Sequence, residues 1–376
     1  MRSLEEIRVE IDQADAKLSE IFEKRLALVS EVAEVKIANQ RPVFDKKRET
    51  EKLERLATAA NSSFAGKANR ELFEQIMAIS RKKQYQLLIK NGRFYDTEFT
   101  EQEALSLAGA KIIYQGAEGA YSQMAMKAYF GEEVKGHPVE SWRGAMEAIK
   151  NKEADYAVLP IENSSAGIVS ENYDLLVEYD NTILGEQTIL IEHALLGLPG
   201  AKLSDVRFVY SHPQALAQCG VYLREHENWE SIRLKNTALG AKKVLEDNNP
   251  AQSAIANPLA AEIYGLSILE SAVNDNKDNR TRFLIVGAER IYQKGAKKLS
   301  ISFEIPHEIG SLYHILSHFI FNDLNMVQIE SRPIPHKSFE YRFFVDFEGN
   351  LKDAAVQNAL VGISEEALHL RILGNY

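Results

Sequence analysis

The chain has 376 residues, of which 45% are hydrophobic and 26% charged, and its formal net charge is −10 with a pI near 5.5. An acidic chain of this composition is unsuited to nucleic acid or to an anionic membrane, and we expect neither as a partner. The single cysteine, Cys219, allows no intrachain disulfide, and the sequence carries no apolar signal segment. No stretch approaches the roughly 18 apolar residues of a membrane span. We therefore expect a cytoplasmic protein of several domains.

The first ninety or so residues predict an all-helical domain. One helix is predicted from about Ser3, a suitable N-cap, to about Asn39, and Pro42 ends it. A second helix begins near Asp45, and a third covers about 67–88. At 1.5 Å per residue the first helix is roughly 55 Å long. A small domain cannot bury a helix of that length alone, so we expect a partner chain.

Three cations interrupt the apolar face of the first helix. Arg8, Arg25 and Lys36 share the face formed by the recurring apolar residues, where only Asp15 offers a negative charge. We expect Asp15 to make a structural ion pair. An unpaired buried charge costs several kcal/mol or more, so the cations need further anions. Arginine grips carboxylates with two parallel hydrogen bonds, and a small dicarboxylate ligand suits this face.

The second and third helices add polar groups at matching positions. Asp45 lies at the start of the second helix, and Arg48 and Glu49 follow about one turn later. Ser80 and Gln84 are four residues apart on the third helix and share one face. These groups predict a cationic, hydrogen-bonding pocket inside a helix bundle.

This set resembles the all-helical chorismate mutases that form intertwined dimers. The family pattern falls on Arg8, Arg25, Lys36, Asp45, Arg48, Glu49, Ser80 and Gln84. The resemblance implies rearrangement of chorismate to prephenate, a pericyclic reaction that needs neither a nucleophile nor a cofactor. Lys36 and Gln84 are then the donors to the ether oxygen, and Glu49 with Asp45 holds the ring hydroxyl. The arginines bind carboxylates, and Arg8 reaches the partner's site.

A polar, acidic segment over 93–110 is interpreted as a linker, and the pattern then changes. Strands and helices alternate from Lys111 to about 290, which is typical of α/β units. The predicted strands are 111–115, 156–160, 207–210 and 283–286. The predicted helices are 122–130, 142–150, 214–226 and 238–247.

Polar runs follow several of these strands, where open α/β folds bind ligands. They are Gly116–Ser122, Glu162–Ser165, Ser211–Gln214 with Gln218, and Asn279–Arg282. They resemble the motifs of prephenate dehydratase over about 111–290, above all Thr281-Arg282-Phe283. The resemblance implies two lobes with a cleft, similar to periplasmic binding proteins.

In that family, prephenate loses its ring hydroxyl and ring carboxylate to give phenylpyruvate, water and CO2. The matching substrate residues are Asn163, Ser211, Gln218, Thr281 and Arg282. We expect Thr281 to donate to the leaving hydroxyl and Arg282 to bind the side-chain carboxylate. Glu162 is an alternative acid, although a structural hydrogen bond is the favoured interpretation.

Two other groups could suggest different chemistry. His193 and His212 lack a metal-binding Cys/His spacing, so we expect no metal. Cys219 is interpreted as a buried helix residue and not as a nucleophile.

Residues 298–376 predict the order β-α-β-β-α-β, a ferredoxin-like module. Gly310-Ser311-Leu312 opens its first helix, and Glu330-Ser331-Arg332 ends a strand. Both resemble the ligand motifs of the ACT regulatory domain, although the family usually has alanine at the position of Ser311. The resemblance implies L-phenylalanine as an effector bound between protomers.

As a whole the chain resembles the bifunctional chorismate mutase–prephenate dehydratase family. The predicted division is a helical mutase domain over 1–92, a linker over 93–110, a two-lobed dehydratase domain over 111–290 and an ACT module over 298–376. The resemblance implies a homo-oligomer, at least a dimer. Two alternatives remain: a dehydratase whose helical domain only dimerises it, and a non-catalytic amino-acid sensor.

Overall fold

The computed structural model describes residues 2–376, which form two compact units. The first unit runs to Thr97 and resumes over Ile301–Ile372. The second comprises Glu98–Ser300 and Leu373–Tyr376. The helical segment and most of the C-terminal module therefore belong to one unit, although some two hundred residues separate them in the sequence.

The helical segment consists of α1 (Leu4–Ala38), α2 (Lys46–Thr58) and α3 (Ser63–Lys90). Side chains cap each start: Ser3 forms a capping box with Glu6, and Asp45 and Ser62 accept from backbone N–H groups of α2 and α3. The three predicted helices are therefore present. The third begins earlier than expected because Ser62 caps it.

Helix α1 is largely unburied within the chain. Of its 35 residues only Val29 and Ala33 are buried. Several apolar side chains toward its N-terminal end are more than half exposed, among them Ile11, Leu18 and Ile21. The sequence analysis expected that one small domain cannot bury a helix of this length. In the structure, the single chain leaves this apolar face uncovered.

The second unit contains the α/β elements. Its strands are β1 (Thr100–Gln102), β2 (Ile112–Gln115), β3 (Gly136–Val139), β4 (Tyr156–Asn163), β5 (Gly167–Ile168), β6 (Thr182–Leu190), β7 (Ala194–Gly197), β8 (Phe208–Ser211), β9 (Glu230–Arg233), β10 (Gln252–Ala256), β11 (Ser267–Glu270), β12 (Arg280–Gly287) and β13 (Ile291–Gln293). Its helices are α4 (Tyr121–Phe130), α5 (Trp142–Lys150), α6 (Ser170–Glu178), α7 (Pro213–Gln218), α8 (Gly220–Arg224), α9 (Thr237–Asp247) and α10 (Pro258–Tyr264), with a 3-10 turn at Leu203–Asp205.

These strands build two lobes. One sheet has the order β3-β2-β4-β12-β6, with β5 paired to β4, and the other has the order β11-β7-β10-β8-β9. Parallel pairs join β2 to β3 and to β4, and join β8 to β9 and to β10. Their carboxyl ends therefore carry the polar loops that the sequence singled out.

Two local predictions differ from the structure. The predicted helix over 214–226 is broken at Cys219 into α7 and α8, where the Asp275 carboxylate accepts from the N–H of Val221. The predicted linker over 93–110 contains β1, which pairs in parallel with β13. In both places the partner is distant in sequence, so local composition gave no sign of it.

The C-terminal module follows the predicted order. It consists of β14 (Lys298–Glu304), α11 (Ser311–Phe321), β15 (Met326–Pro333), β16 (Tyr341–Glu348), α12 (Ala354–Glu366) and β17 (Leu368–Asn375). The sheet order is β15-β16-β14-β17, so β15 is an edge strand. The last turn of helix α12 contains Glu365 and Glu366, which contact the helical segment.

No helix among residues 2–376 is long and apolar enough to cross a membrane. The same residues hold no cluster of three or more histidine, cysteine or acidic side chains suited to a metal ion.

Candidate active sites

The first candidate site lies among the three N-terminal helices. Arg25 of α1 donates to the hydroxyl of Ser80 and, at 3.3 Å, to the carbonyl of Ile76 on α3. Gln84, one turn after Ser80, is buried and donates through Nε2 to the Ser80 carbonyl at 3.2 Å. Its Oε1 is buried without a hydrogen-bond partner among the described residues. A half-turn of this amide would place Nε2 at the position of Oε1, and its N–H groups would then be available to a ligand.

Three of the predicted residues line an open cavity of about 750 Å³. Lys36, Asp45 and Arg48 lie on its wall, beside apolar side chains of α1. The Lys36 ammonium donates to the Val43 carbonyl at 2.5 Å, which fixes it against the loop before α2. Asp45 accepts from the N–H of Arg48 at 3.1 Å as the N-cap of α2.

Charge interactions connect these groups into one site. Burial lowers the pKa of Lys36, and the negative charges of Glu365, Asp45 and Glu49 only partly oppose this. Burial also lowers the pKa of Arg25, opposed by Glu49. Cations that are partly desolvated and short of counter-charge favour an anionic ligand.

Lys52 is a further cation that the sequence analysis missed. Burial lowers its pKa, and the positive charges of Arg25, Arg48 and Arg55 lower it further. Its position on α2, one turn after Arg48, was the available signal. Lys52 increases the excess of positive charge.

Glu49 is engaged by a group that the sequence analysis also missed. Its carboxylate accepts from the guanidinium of Arg81, whose side chain is 7% exposed. Arg81 follows Ser80 directly, and no motif marked it. The structure therefore places Glu49 in a partly buried ion pair as well as near Lys36 and Arg25.

Arg8 is separate from the rest of this set. It is exposed, and it lies seventeen residues before Arg25 on the same helix, or about 25 Å along the axis. A single chain does not bring it to the cavity that Lys36 lines.

The second candidate site is a cavity of about 320 Å³ between the two sheets of the α/β unit. Asn163, Thr281, Gln218 and His193 are among the residues that line it. Asn163 Nδ2 donates to Thr281 Oγ1 at 2.8 Å and to Asn279 Oδ1 at 2.9 Å. Asn163 thus fixes the Thr281 oxygen as an acceptor and leaves the hydroxyl proton available to a ligand.

His193 supports the predicted residue Gln218. Its Nε2 lies 3.0 Å from Gln218 Oε1, and its Nδ1 lies 2.9 Å from the Tyr121 hydroxyl. Burial lowers the pKa of His193, opposed by the hydrogen bond to Gln218. The neutral form is therefore favoured, and this histidine serves to orient Gln218.

Two predicted substrate residues do not reach this cavity. Ser211 is fully buried, and its hydroxyl donates to the Ile255 carbonyl at 2.6 Å. Arg282 pairs with Glu186 at 3.1 Å and Glu162 at 3.5 Å, and none of the three lines the cavity. Adjacent strand residues point to opposite faces, so Thr281 faces the cavity and Arg282 does not. The alternation along a strand already predicts from the sequence that Thr281 and Arg282 face opposite sides of the sheet.

The cavity has another source of positive charge. Lys235 lines it, and helices α4 and α9 begin beside it at Tyr121 and Thr237. Helix N-termini present free N–H groups and a positive partial charge. Lys235 replaces Arg282 as the candidate partner for a carboxylate.

Cys219 is buried, as the sequence analysis expected. Burial raises the pKa of its thiol to about 12, and the negative charge of Asp275 adds to this. The thiol is therefore protonated at neutral pH and unsuited to nucleophilic chemistry.

The C-terminal module contains a third cavity, of about 240 Å³. Gly310, Ser311 and Leu312 line it at the start of α11, together with Phe343 and other residues. The predicted Glu330-Ser331-Arg332 triplet lies on edge strand β15 and does not line this cavity. The two predicted motifs are therefore apart within one chain.

Comparisons with known proteins relate the helical segment and the α/β unit to two enzyme families. Two family models match: chorismate mutase type II over residues 7–85 and prephenate dehydratase over residues 112–291. A bifunctional chorismate mutase/prephenate dehydratase of Aquifex aeolicus is 31% identical over 378 residues, covering 100% of this chain and 98% of that protein.

Solved structures match about 70% of the chain. A prephenate dehydratase of Arthrobacter aurescens in complex with L-Phe is 32% identical with a TM-score of 0.64, covering 71% of this chain and 89% of that one. GqqA, described as a novel type of quorum quenching acylase, is 31% identical with a TM-score of 0.65, covering 70% and 96%.

The helical and α/β parts thus define an enzyme that carries a mutase domain and a dehydratase domain on one chain. It belongs to the family of bifunctional chorismate mutase/prephenate dehydratases.

Proposed function

We propose that the helical segment rearranges chorismate to prephenate and that the α/β unit converts prephenate to phenylpyruvate, in L-phenylalanine biosynthesis. The observation that carries this proposal is the excess of cations at the helical site. Arg25, Lys36, Arg48 and Lys52 interact there, while the Glu49 carboxylate is paired with Arg81. A dicarboxylate such as chorismate supplies the missing negative charge.

In the mutase step the protein selects the reactive conformer and stabilises charge on the ether oxygen. Arg25 and Arg48 bind the carboxylates, and Ser80 orients Arg25. The Lys36 ammonium and the Gln84 amide donate to the ether oxygen. Glu49 and Asp45 accept from the ring hydroxyl.

In the dehydratase step the Thr281 hydroxyl donates a hydrogen bond to the departing ring hydroxyl, which leaves as hydroxide and takes a proton from solvent to become water. The C–C bond between the ring and the ring carboxylate breaks, and CO2 departs. The electron pair of that bond moves into the ring as the C–O bond breaks, which completes the aromatic ring. Asn163 and Gln218 position the substrate, and Lys235 binds the side-chain carboxylate. A threonine is a weak acid, so its contribution is to polarise the leaving group.

We also propose that the enzyme is at least a dimer. The exposed apolar face of α1 is the surface for the second copy, and Arg8 enters the partner's mutase site. This arrangement accounts for the distance along α1 between Arg8 and Arg25.

The C-terminal module is proposed to be an ACT domain that binds L-phenylalanine. Gly310, Ser311 and Leu312 offer backbone groups at the start of α11, and Glu330-Ser331-Arg332 comes from a second protomer at edge strand β15. Feedback inhibition then follows if phenylalanine favours one arrangement of the paired modules.

One assay separates this proposal from its alternatives. Chorismate is added to the purified protein, and the formation of prephenate and of phenylpyruvate is measured. L-Phenylalanine is then titrated into the same assay. We expect both products in sequence and inhibition by phenylalanine. Turnover of prephenate without turnover of chorismate indicates a purely dimerising helical segment. Phenylalanine binding without either reaction indicates a sensor.

A further inference from the structure

The end of helix α12 contacts the mutase site through two consecutive glutamates. Glu366 accepts from Arg81 Nε at 3.0 Å, and Arg81 in turn donates to Glu49. Both members of the Glu366–Arg81 pair have side chains that are only 7% exposed. Glu49 belongs to the proposed mutase site and Glu366 to the C-terminal module, so Arg81 joins the two.

Two further residues contact the cluster formed by Glu49, Arg81 and Glu366. His318 of α11 lies 3.2 Å from Glu366 through Nε2, and Arg81 lies over the ring of Phe44 at 4.8 Å. Burial alone would lower the pKa of Arg81, but the carboxylates of Glu366 and Glu49 outweigh it and the pKa is raised. Arg81 is therefore a permanent cation that holds two carboxylates in a fixed geometry.

Glu365 makes an independent contact with the same site. Its two oxygens accept from the backbone N–H groups of Val43 and Phe44, at 3.0 and 2.6 Å, and it also accepts from the Tyr85 hydroxyl at 3.2 Å. The carbonyl of Val43 is the acceptor that holds Lys36. Glu365 thus fixes the loop against which the Lys36 ammonium rests.

We propose that the C-terminal module completes the mutase site of its own chain: Glu366 positions Glu49 through Arg81, and Glu365 positions Lys36 through the loop before α2. Both glutamates are positioning residues, since neither lines the cavity that holds Lys36. A carboxylate held in place before the substrate arrives requires no reorganisation during the reaction. This inference rests on the proposed mutase activity.

The test compares the full-length wild type with Glu366→Gln and Glu365→Gln, assayed with chorismate and, separately, with prephenate. We expect each variant to lower mutase kcat at least about tenfold, because hydrogen bonds to charged groups are the strong ones. Dehydratase kcat should stay within about twofold. Glu366→Asp, which keeps the charge, should retain more mutase activity than Glu366→Gln.

Two control variants are used: one matches the loss of a carboxylate from the C-terminal module, and the other alters a different contact between that module and α3. Glu348→Gln removes an exposed carboxylate of the same module, and Gln75→Ala removes the exposed 3.3 Å contact between α3 and the Tyr313 hydroxyl. Both should leave mutase activity within about twofold. Wild-type mutase activity in Glu366→Gln and Glu365→Gln overturns the inference, whereas a wild type inactive on chorismate overturns the proposed function instead.

A double-mutant cycle separates positioning from general destabilisation. Arg81→Met removes the cation that pairs with Glu366 and Glu49, and adding Glu366→Gln removes the charge of the more deeply buried carboxylate. The double variant should therefore melt at a higher temperature than Arg81→Met and yet have the same low mutase kcat. If mutase activity recovers together with the melting temperature, Glu366 has only a structural role and the inference fails.

Discussion

At the scale of single residues, partial burial of cations is the property that makes the helical site suited to its substrate. Lys36 and Arg25 have lowered pKa values because burial outweighs the nearby carboxylates. A dicarboxylate ligand restores the balance of charge at these cations. The same cations, if fully exposed to water, would bind a dicarboxylate far more weakly, because the high dielectric constant weakens the attraction between charges.

The pH dependence of the mutase should report this burial. The ammonium form of Lys36 is the donor, so kcat/KM should fall as the pH rises through its pKa, which lies below the ordinary value of 10.5. In Lys36→Arg the remaining activity should persist to higher pH, because guanidinium stays protonated. An alkaline limb that is the same in both proteins would assign the titration to another group, and Lys52→Arg tests the nearest one.

A hydroxyl deletion tests the dehydratase site at the same scale. Thr281→Val keeps the shape of the side chain, removes the donor and leaves Asn163 Nδ2 without the acceptor at 2.8 Å. Dehydratase kcat should fall by about 100-fold, the size of a lost proton-donor contribution. Mutase activity of the same sample is the internal control, and Thr281→Ser should recover most of the loss. Unchanged kcat in Thr281→Val would exclude Thr281 as the donor.

At the scale of elements, α1 and α12 are each proposed to act beyond their own segment. Helix α1 exposes apolar residues along a length that its own chain cannot cover. Helix α12 ends in Glu365 and Glu366, which contact the loop before α2 and helix α3. In both helices, the turns that extend beyond their own segment contain the residues proposed to contact another part of the protein or a second chain.

A mixed dimer tests the role of α1. Chains with Arg8→Ala and with Arg25→Ala are each expected to be inactive as mutases. If Arg8 crosses to the partner, a dimer of one chain of each kind has one intact site, and random mixing should restore about a quarter of wild-type activity. If Arg8 acts within its own chain, mixing restores nothing. Dehydratase activity should be the same in all samples.

At the scale of the whole molecule, the C-terminal module belongs to the same compact unit as the helical segment. Its edge strand β15 has alternate residues exposed, with Val327 and Ile329 among them. An apolar edge of this kind favours pairing with a second module. If L-phenylalanine binds between two paired modules, as proposed, effector binding and assembly are linked.

This linkage is measurable. If L-phenylalanine binds between protomers, saturating effector should lower the protein concentration at which the oligomer dissociates, and sedimentation at low concentration checks this. Gly310→Ala should abolish the shift, because Gly310 has a φ of +81° beside the cavity and alanine is strained there. Gly295→Ala, at a φ of +82° in open space, is the matched control. Dissociation unaffected by phenylalanine in the wild type would place the effector within one chain.

The sequence by itself determined the helices and the order of the C-terminal module, and it supplied most of the candidate residues of the two proposed sites. These follow from short-range rules: capping at Ser3 and Asp45, alternation along strands, and residues four apart such as Ser80 and Gln84. The same alternation places Thr281 and Arg282 on opposite faces of their strand.

Only the tertiary structure decided how charges are shared across the chain. Arg81 and Glu366 are 285 residues apart and lie in no motif, yet they form a buried pair beside Glu49. Lys235 reaches the dehydratase cavity in place of Arg282 because the two lobes face each other there. Such contacts depend on which surfaces meet after folding, and periodicity within one element carries no information about that.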